Sequence, residues 1–203
     1  MGKIIKINPE KPERKRIEQA VRVLRRGGLV IFPTDTVYGL GASIRFPGTI
    51  RKIYRIKKRS GKKPLVFLIG FKKEIGKFTD KLSNEAKRLV RDFWPGALTL
   101  VFPSKKYKTI ALRMPHNKIA LELIRGAGPL AATSANLSGK KDNVTIKTVE
   151  NRLLKEADLS IDGGKAPRGS ISTVLDVTDY PFRVIREGCI KGKELREAIK
   201  SRV

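Results

Sequence analysis

The run LVIF, residues 29–32, is apolar on both faces of any strand it could form, and PLVFLI (64–69) and ALTLVF (97–102) follow nearly the same rule. Runs of four to six such residues, bounded by Gly or Pro, are too short for an ordinary helix and read as strands buried on both sides. Strands of that kind need helices on both faces. The chain supplies them. Ile17, Ala20, Val21 and Leu24 recur at helical spacing in PERKRIEQAVRVLRRGG, which Gly27-Gly28 closes. Ser83 is placed to N-cap a second stripe of Ala86, Leu89, Val90 and Phe93. Strands are further expected at 3–7, 109–115, 172–177 and 182–186, with a short one opening GPLAATSANLSGK (128–140). Helices are expected at 49–56, 117–125, 146–157 and 193–200. The interleaving predicts an α/β fold: a single domain over 1–203, with one twisted mixed sheet flanked by helices.

Charge narrows the partners. The chain has 45 Lys and Arg against 19 Asp and Glu, a net charge of +26. A field of that sign draws polyanions such as nucleic acid or nucleoside triphosphates. A thermophile surface is the other reading, but those surfaces usually balance Lys with Glu. One Cys and one His exclude an internal disulfide framework and a zinc site built from those ligands. No stretch has the length of a membrane span, and residues 1–19 carry no apolar signal core, so a cytoplasmic, non-membrane protein is expected.

Polar clusters follow several of the apolar runs. LVIF gives way to Pro33, to Thr34 and Thr36 around an aspartate, and then to Gly39-Leu40-Gly41, more polar chemistry than a strand exit needs. IKKRSGKKPL (56–65) packs Lys57, Lys58, Arg59, Lys62 and Lys63 before a strand. Such a run is usually a solvated loop, but at a helix-to-strand junction it can grip an anion. If extended, it points Lys57 and Arg59 to one face. TSANLSGK (133–140) reads equally as a turn or as a cradle of neutral donors. Thr109 and Arg113 share a face of one strand, where Arg113 is either a surface charge or a ligand. His116 reads as an exposed loop residue and Cys189 as an incidental thiol. The glycine fingerprints for phosphate or dinucleotide binding are incomplete. Clusters of this kind, with almost no general-base candidate, suit chemistry done by positioning and charge neutralisation, as in phosphoryl and nucleotidyl transfer.

The chain resembles the YrdC/Sua5 family of threonylcarbamoyl-AMP synthases from about residue 10 to 190. The resemblance is carried, in order, by FPTDTVYGLG, IYRIKKRSGKKPL, WPGALTLVF, TIALRMP, ATSANLSGK and ISTVLDV…VIREG. The family's K-x-R…S-x-N signature falls on Lys57, Arg59, Ser134 and Asn136. The resemblance implies a largely parallel sheet around a large, concave, basic cavity, in a chain of the short, single-domain type. It implies condensation of L-threonine, bicarbonate and ATP to threonylcarbamoyl-AMP and pyrophosphate, with Mg²⁺ carried by the triphosphate. A separate transferase complex then modifies adenosine 37 of tRNA. Thr34, Thr36, Arg113 and Ser172 would contact threonine, with Arg113 forking onto its carboxylate. Lys57, Arg59, Lys63, Thr109, Ser134, Asn136, Thr145 and Arg186 would hold ATP, with the catalytic pair Lys57 and Arg59 nearest the phosphates. Two other readings stand beside it: a non-catalytic tRNA- or double-stranded-RNA-binding protein, and the related domain of hydrogenase-maturation carbamoyltransferases, whose flanking segments this chain lacks.

Overall fold

The computed structural model describes residues 2–61 and 63–200; Lys62 of the basic run lies outside them. The elements in chain order are β1 (Ile4–Lys6), α1 (Arg14–Arg25), β2 (Leu29–Phe32), β3 (Gly39–Ser43), α2 (Pro47–Lys57) and β4 (Val66–Leu68). They continue with α3 (Asn84–Phe93), β5 (Leu98–Pro103), β6 (Thr109–Arg113), α4 (Lys118–Ala127), β7 (Leu130–Ser134) and α5 (Asn151–Glu156). The last are β8 (Leu159–Asp162), β9 (Thr173–Asp176), β10 (Arg183–Arg186) and α6 (Gly192–Lys200), and 3-10 turns occupy Lys72–Lys77 and Ile146–Thr148.

Local signals explain most boundaries. Gly27 at φ +81 ends α1, and the Ser83 hydroxyl accepts the Ala86 amide at 3.2 Å to begin α3. Asn117 caps α4 in the same way, accepting the Ala120 amide at 3.0 Å. Among the described residues no helix is long and apolar enough to cross a membrane.

Ten strands form one sheet in the order β1-β8-β2-β3-β7-β4-β6-β5-β9-β10. The pairs β1–β8, β8–β2, β4–β6 and β5–β9 are parallel; the other five are antiparallel. The sheet is therefore mixed rather than largely parallel. The run β2–β3–β7–β4 is antiparallel throughout, because β3 turns straight back from the Thr34–Tyr38 exit instead of crossing over.

Register decides where a ligand can sit. Paired residues share a face of the sheet. One face runs through Leu29, Ala42, Ala131, Phe67, Leu112, Leu100 and Leu175. It is covered along its whole width, by α2 and α5 over one half and by α3 and α6 over the other. The opposite face runs through Val30, Gly41, Ala132, Val66, Ala111 and Val101. Its β8–β2–β3–β7 half is packed by α1 and α4. Its β4–β6–β5–β9 half carries no such helical cover, and the concave space left there is the hollow described next.

Candidate functional site

A hollow of about 650 Å³ lies over that uncovered half of the sheet. Its floor is Val66, Leu68 and Ala132; its polar wall is Thr34, Thr36, Thr99, Thr133, Ser134 and Ser172, with the guanidinium-bearing Arg59, Arg113 and Arg186. No carboxylate is among these lining residues. Segments separated by some 150 positions in sequence meet here because each strand delivers one or two side chains to the same face.

The exit from β2 forms a tight hydroxyl turn. Thr34 Oγ1 accepts the amides of Thr36 (3.1 Å) and Val37 (3.3 Å), donates to the Val37 carbonyl (2.7 Å) and lies 2.9 Å from Thr36 Oγ1. This turn buries Asp35, which is 2% exposed, beneath Arg113 at the end of β6. Arg113 is not the surface charge that an edge strand would make it: it is 6% exposed. Its Nε donates to the Gly96 carbonyl (2.9 Å), Nη1 to Thr36 Oγ1 (2.9 Å) and Nη2 to Asp35 Oδ1 (2.6 Å). Burial pushes the guanidinium below its ordinary value and Asp35 pushes it back up. Arginine stays cationic, so three of its five N–H groups are committed and one on each terminal nitrogen remains.

On the opposite wall Ser172 Oγ lies 2.9 Å from Thr99 Oγ1, and Arg186 Nη2 donates to the Ser172 carbonyl at 2.9 Å. Arg59 is anchored through the carbonyls of Lys63 and Pro64, both at 2.9 Å, and presents its guanidinium to the hollow. Burial lowers the values of Arg59 and Arg186, and at Arg186 the nearby charges of Arg113 and Arg59 add to the effect against Asp142.

Lys57 departs from expectation. The segment is not extended: Lys57 ends α2 and Lys58 follows in the left-handed conformation at φ +50, so Lys57 and Arg59 do not point alike. Lys57 is 1% exposed and does not line the hollow. Its ammonium donates to the Ser134 carbonyl, to the Asn136 carbonyl at 2.6 Å and to Asn136 Oδ1 at 3.0 Å. With its three protons spent on the chain, it fastens the strap after β7 rather than meeting a phosphate. Burial and then the charge of Arg59 pull it down to about 8, against Asp142 and Glu150. Asn136 is buried behind Ser134, whose hydroxyl donates to Asn136 Oδ1 at 2.7 Å. TSANLSGK is thus both readings at once, a turn whose first hydroxyls, Thr133 and Ser134, face the hollow.

Three further candidates lie apart. Thr109 is on the Arg113 face of β6 but exposed at its outer end. Lys63 is exposed and offers its carbonyl to Arg59. Thr145 borders a different hollow with Lys6, Asn8 and Arg16, because the 3-10 turn at 146–148 carries it away. His116 is exposed, and Cys189 Sγ lies 3.1 Å from the Ser170 carbonyl. Asp35 and Thr99 went unassigned in the sequence. For Asp35 the signal was an acid between two threonines in an acid-poor, apolar context.

Residues 22–188 match the Sua5/YciO/YrdC family model, described as "Telomere recombination". The threonylcarbamoyl-AMP synthase of Pyrococcus abyssi is 36% identical over 94% of this chain and 59% of its own length, so the chain spans about three fifths of that relative. A putative threonylcarbamoyl-AMP synthase of Methanocaldococcus jannaschii is 35% identical over 96% of this chain and 97% of its own. Among solved structures, P. abyssi Sua5 complexed with L-threonine aligns with a TM-score of 0.92 at 35% identity, over 97% of this chain and 61% of that one. Escherichia coli YciO aligns with a TM-score of 0.85 at 30% identity, over 96% and 100%. The chain belongs to the Sua5/YciO/YrdC family.

Proposed function

We propose that this chain condenses L-threonine, bicarbonate and ATP to threonylcarbamoyl-AMP and pyrophosphate. The observation that carries the reading is convergence: Thr34, Thr36, Arg113 and Ser172 share one hollow with Arg59, Ser134 and Arg186. In the proposed reaction the threonine amine nitrogen bonds to the bicarbonate carbon, a C–O bond of bicarbonate breaks, and water leaves to give a carbamate. A carbamate oxygen attacks the α-phosphorus of ATP, and the bond from that phosphorus to the bridging oxygen breaks to release pyrophosphate. The two uncommitted N–H groups of Arg113 match a carboxylate fork. Arg59 and Arg186 supply fixed positive charge where the phosphates become more negative. Because Lys57 is spent on the strap, Arg59 and Arg186 take the phosphate role without it, and Lys57 orients Ser134. The recessed floor shields a labile carbamate and mixed anhydride from water.

Among the described residues no group of three or more His, Cys, Asp and Glu side chains could hold a metal ion. In the proposed reaction Mg²⁺ would arrive on the triphosphate, neutralising charge there. Transfer of the product to tRNA by a separate complex, in the cytoplasm, completes the proposed role.

The test is incubation of the protein with ATP, threonine and labelled bicarbonate. The expected product is labelled adenylate with pyrophosphate release that needs all three substrates. No such product, together with salt-sensitive retention of tRNA, would establish the non-catalytic RNA-binding reading, which the +26 charge favours.

A further inference from the structure

We infer that Asp35 is the positioning residue of the amino-acid half of this hollow, its buried carboxylate fixing the direction of Arg113 while its main-chain carbonyl holds the Arg168 segment of the far wall. The inference rests on the proposed use of Arg113 and adds a residue that does not itself line the cavity. Oδ1 accepts Arg113 Nη2 at 2.6 Å and the His116 amide at 3.1 Å. Oδ2 is buried without a hydrogen-bond partner among the described residues, and Arg168 Nε stands 3.9 Å from it. The Asp35 carbonyl accepts the Arg168 amide at 3.2 Å.

Arg168 belongs to the segment that leads from β8 to Ile171 and Ser172, the far wall of the hollow. One residue thereby connects the guanidinium on β6, through its carboxylate, with the backbone that leads to the serine, through its main-chain carbonyl. Burying a carboxylate this deeply is costly unless it is paired, and here the pair also sets direction. With Oδ1, Thr36 and Gly96 holding three donors, Arg113 has one planar orientation and presents only two N–H groups to a ligand. Without the aspartate charge the same arginine is an uncompensated buried cation, free to turn.

Asp35→Asn keeps the shape and an acceptor oxygen but removes the charge. Threonine affinity is measured by calorimetry without ATP, and both Michaelis constants are measured in the full reaction. Losing a buried charged partner is expected to weaken threonine binding about tenfold to a hundredfold, while the Michaelis constant for ATP stays within about twofold, inside ordinary variation for an uncoupled site. Asp35→Glu should recover part of the loss. In an Arg113→Met background, which removes both the fork and its need for a counter-charge, Asp35→Asn should cost no more than about twofold.

Unchanged threonine affinity in Asp35→Asn overturns the inference. So does an equal loss for ATP and threonine, or a full additional loss in the Arg113→Met background, since either marks a general structural role. Wild-type protein that binds threonine yet forms no adenylate sinks the proposed reaction and leaves Asp35 standing. Wild-type protein that binds no threonine overturns both.

Discussion

Lys57 shows how a residue can be central to a site without touching what the site binds. Its side chain is buried and its ammonium ends on three oxygens of the Ser134–Asn136 strap. Nothing in IKKRSGKK distinguishes this lysine from its neighbours; what selects it is the helical phase of α2, which turns Ile53, Ile56 and Lys57 inward. Its proton should be visible in stability. In the folded chain it is held until about pH 8, against an ordinary value of 10.5. Between those values the unfolded chain binds the proton that the folded chain has released, so this group makes stability rise with pH across that window. Urea unfolding of wild type and Lys57→Met at pH 7.5 and 9.5 measures it, each pH chosen from about pH 8 outward. The gap between the two unfolding free energies should widen at the higher pH; a constant or shrinking gap would refute the assignment.

At the scale of elements, β3 is the instructive case. GLGAS has two glycines and no residue of high strand preference, and no strand is among those expected from the sequence there. It is a strand because β2 and β7 hydrogen-bond it on both sides, and tertiary pairing outweighs local preference. Its glycines then do separate jobs. A Cβ at Gly41 would lie 2.9 Å from the buried Phe32 ring, whereas one at Gly39 would meet that ring at an ordinary 3.6 Å and stand at the hollow. Gly41→Ala should cost about 1–3 kcal/mol through overpacking, with ligand affinity retained in the folded fraction. Gly39→Ala should keep the unfolding midpoint and weaken ligand binding. Unfolding curves beside binding titrations check the pair, and the reverse pattern would show that the wrong glycine has been assigned to the ligand.

LVIF, the α1 stripe and the Ser83 cap were legible because local chemistry and final environment agree. β8, LSID, was not: no element was expected between the helix at 146–157 and the strand at 172–177, and the region resolves into a 3-10 turn, a six-residue helix and then a strand inserted between β1 and β2. The site behaved alike. Arg59 and Arg113 stood out as cations in polar clusters beside strands, and Ser172 and Arg186 came only with the family resemblance; Asp35 and Thr99 were missed because the partners that place them, Arg113 and Ser172, are 78 and 73 positions away in sequence.

The hollow is a property of the whole sheet. Thr34 and Thr36 precede β3, Arg59 precedes β4, Arg113 ends β6, Ser172 precedes β9 and Arg186 ends β10. No contiguous fragment holds the set, and the walls come together only when strands from both halves of the sheet have paired in register. Ligand binding is therefore confined to the fully folded chain and should stabilise all of it at once. At a hundredfold excess over its dissociation constant, one ligand adds about 2.7 kcal/mol to the unfolding free energy. If the proposed function holds, ATP and threonine occupy different walls and should each raise the urea midpoint and add together when present in company. The urea m-value should stay constant, since the surface exposed on unfolding is unchanged. The ATP increment should shrink as salt rises, because Arg59 and Arg186 meet a polyanion at a partly open mouth. The threonine increment depends on a recessed fork and should resist salt. A midpoint raised by ATP alone, with threonine at saturating concentration adding nothing, would show that the two halves of the hollow do not serve one reaction.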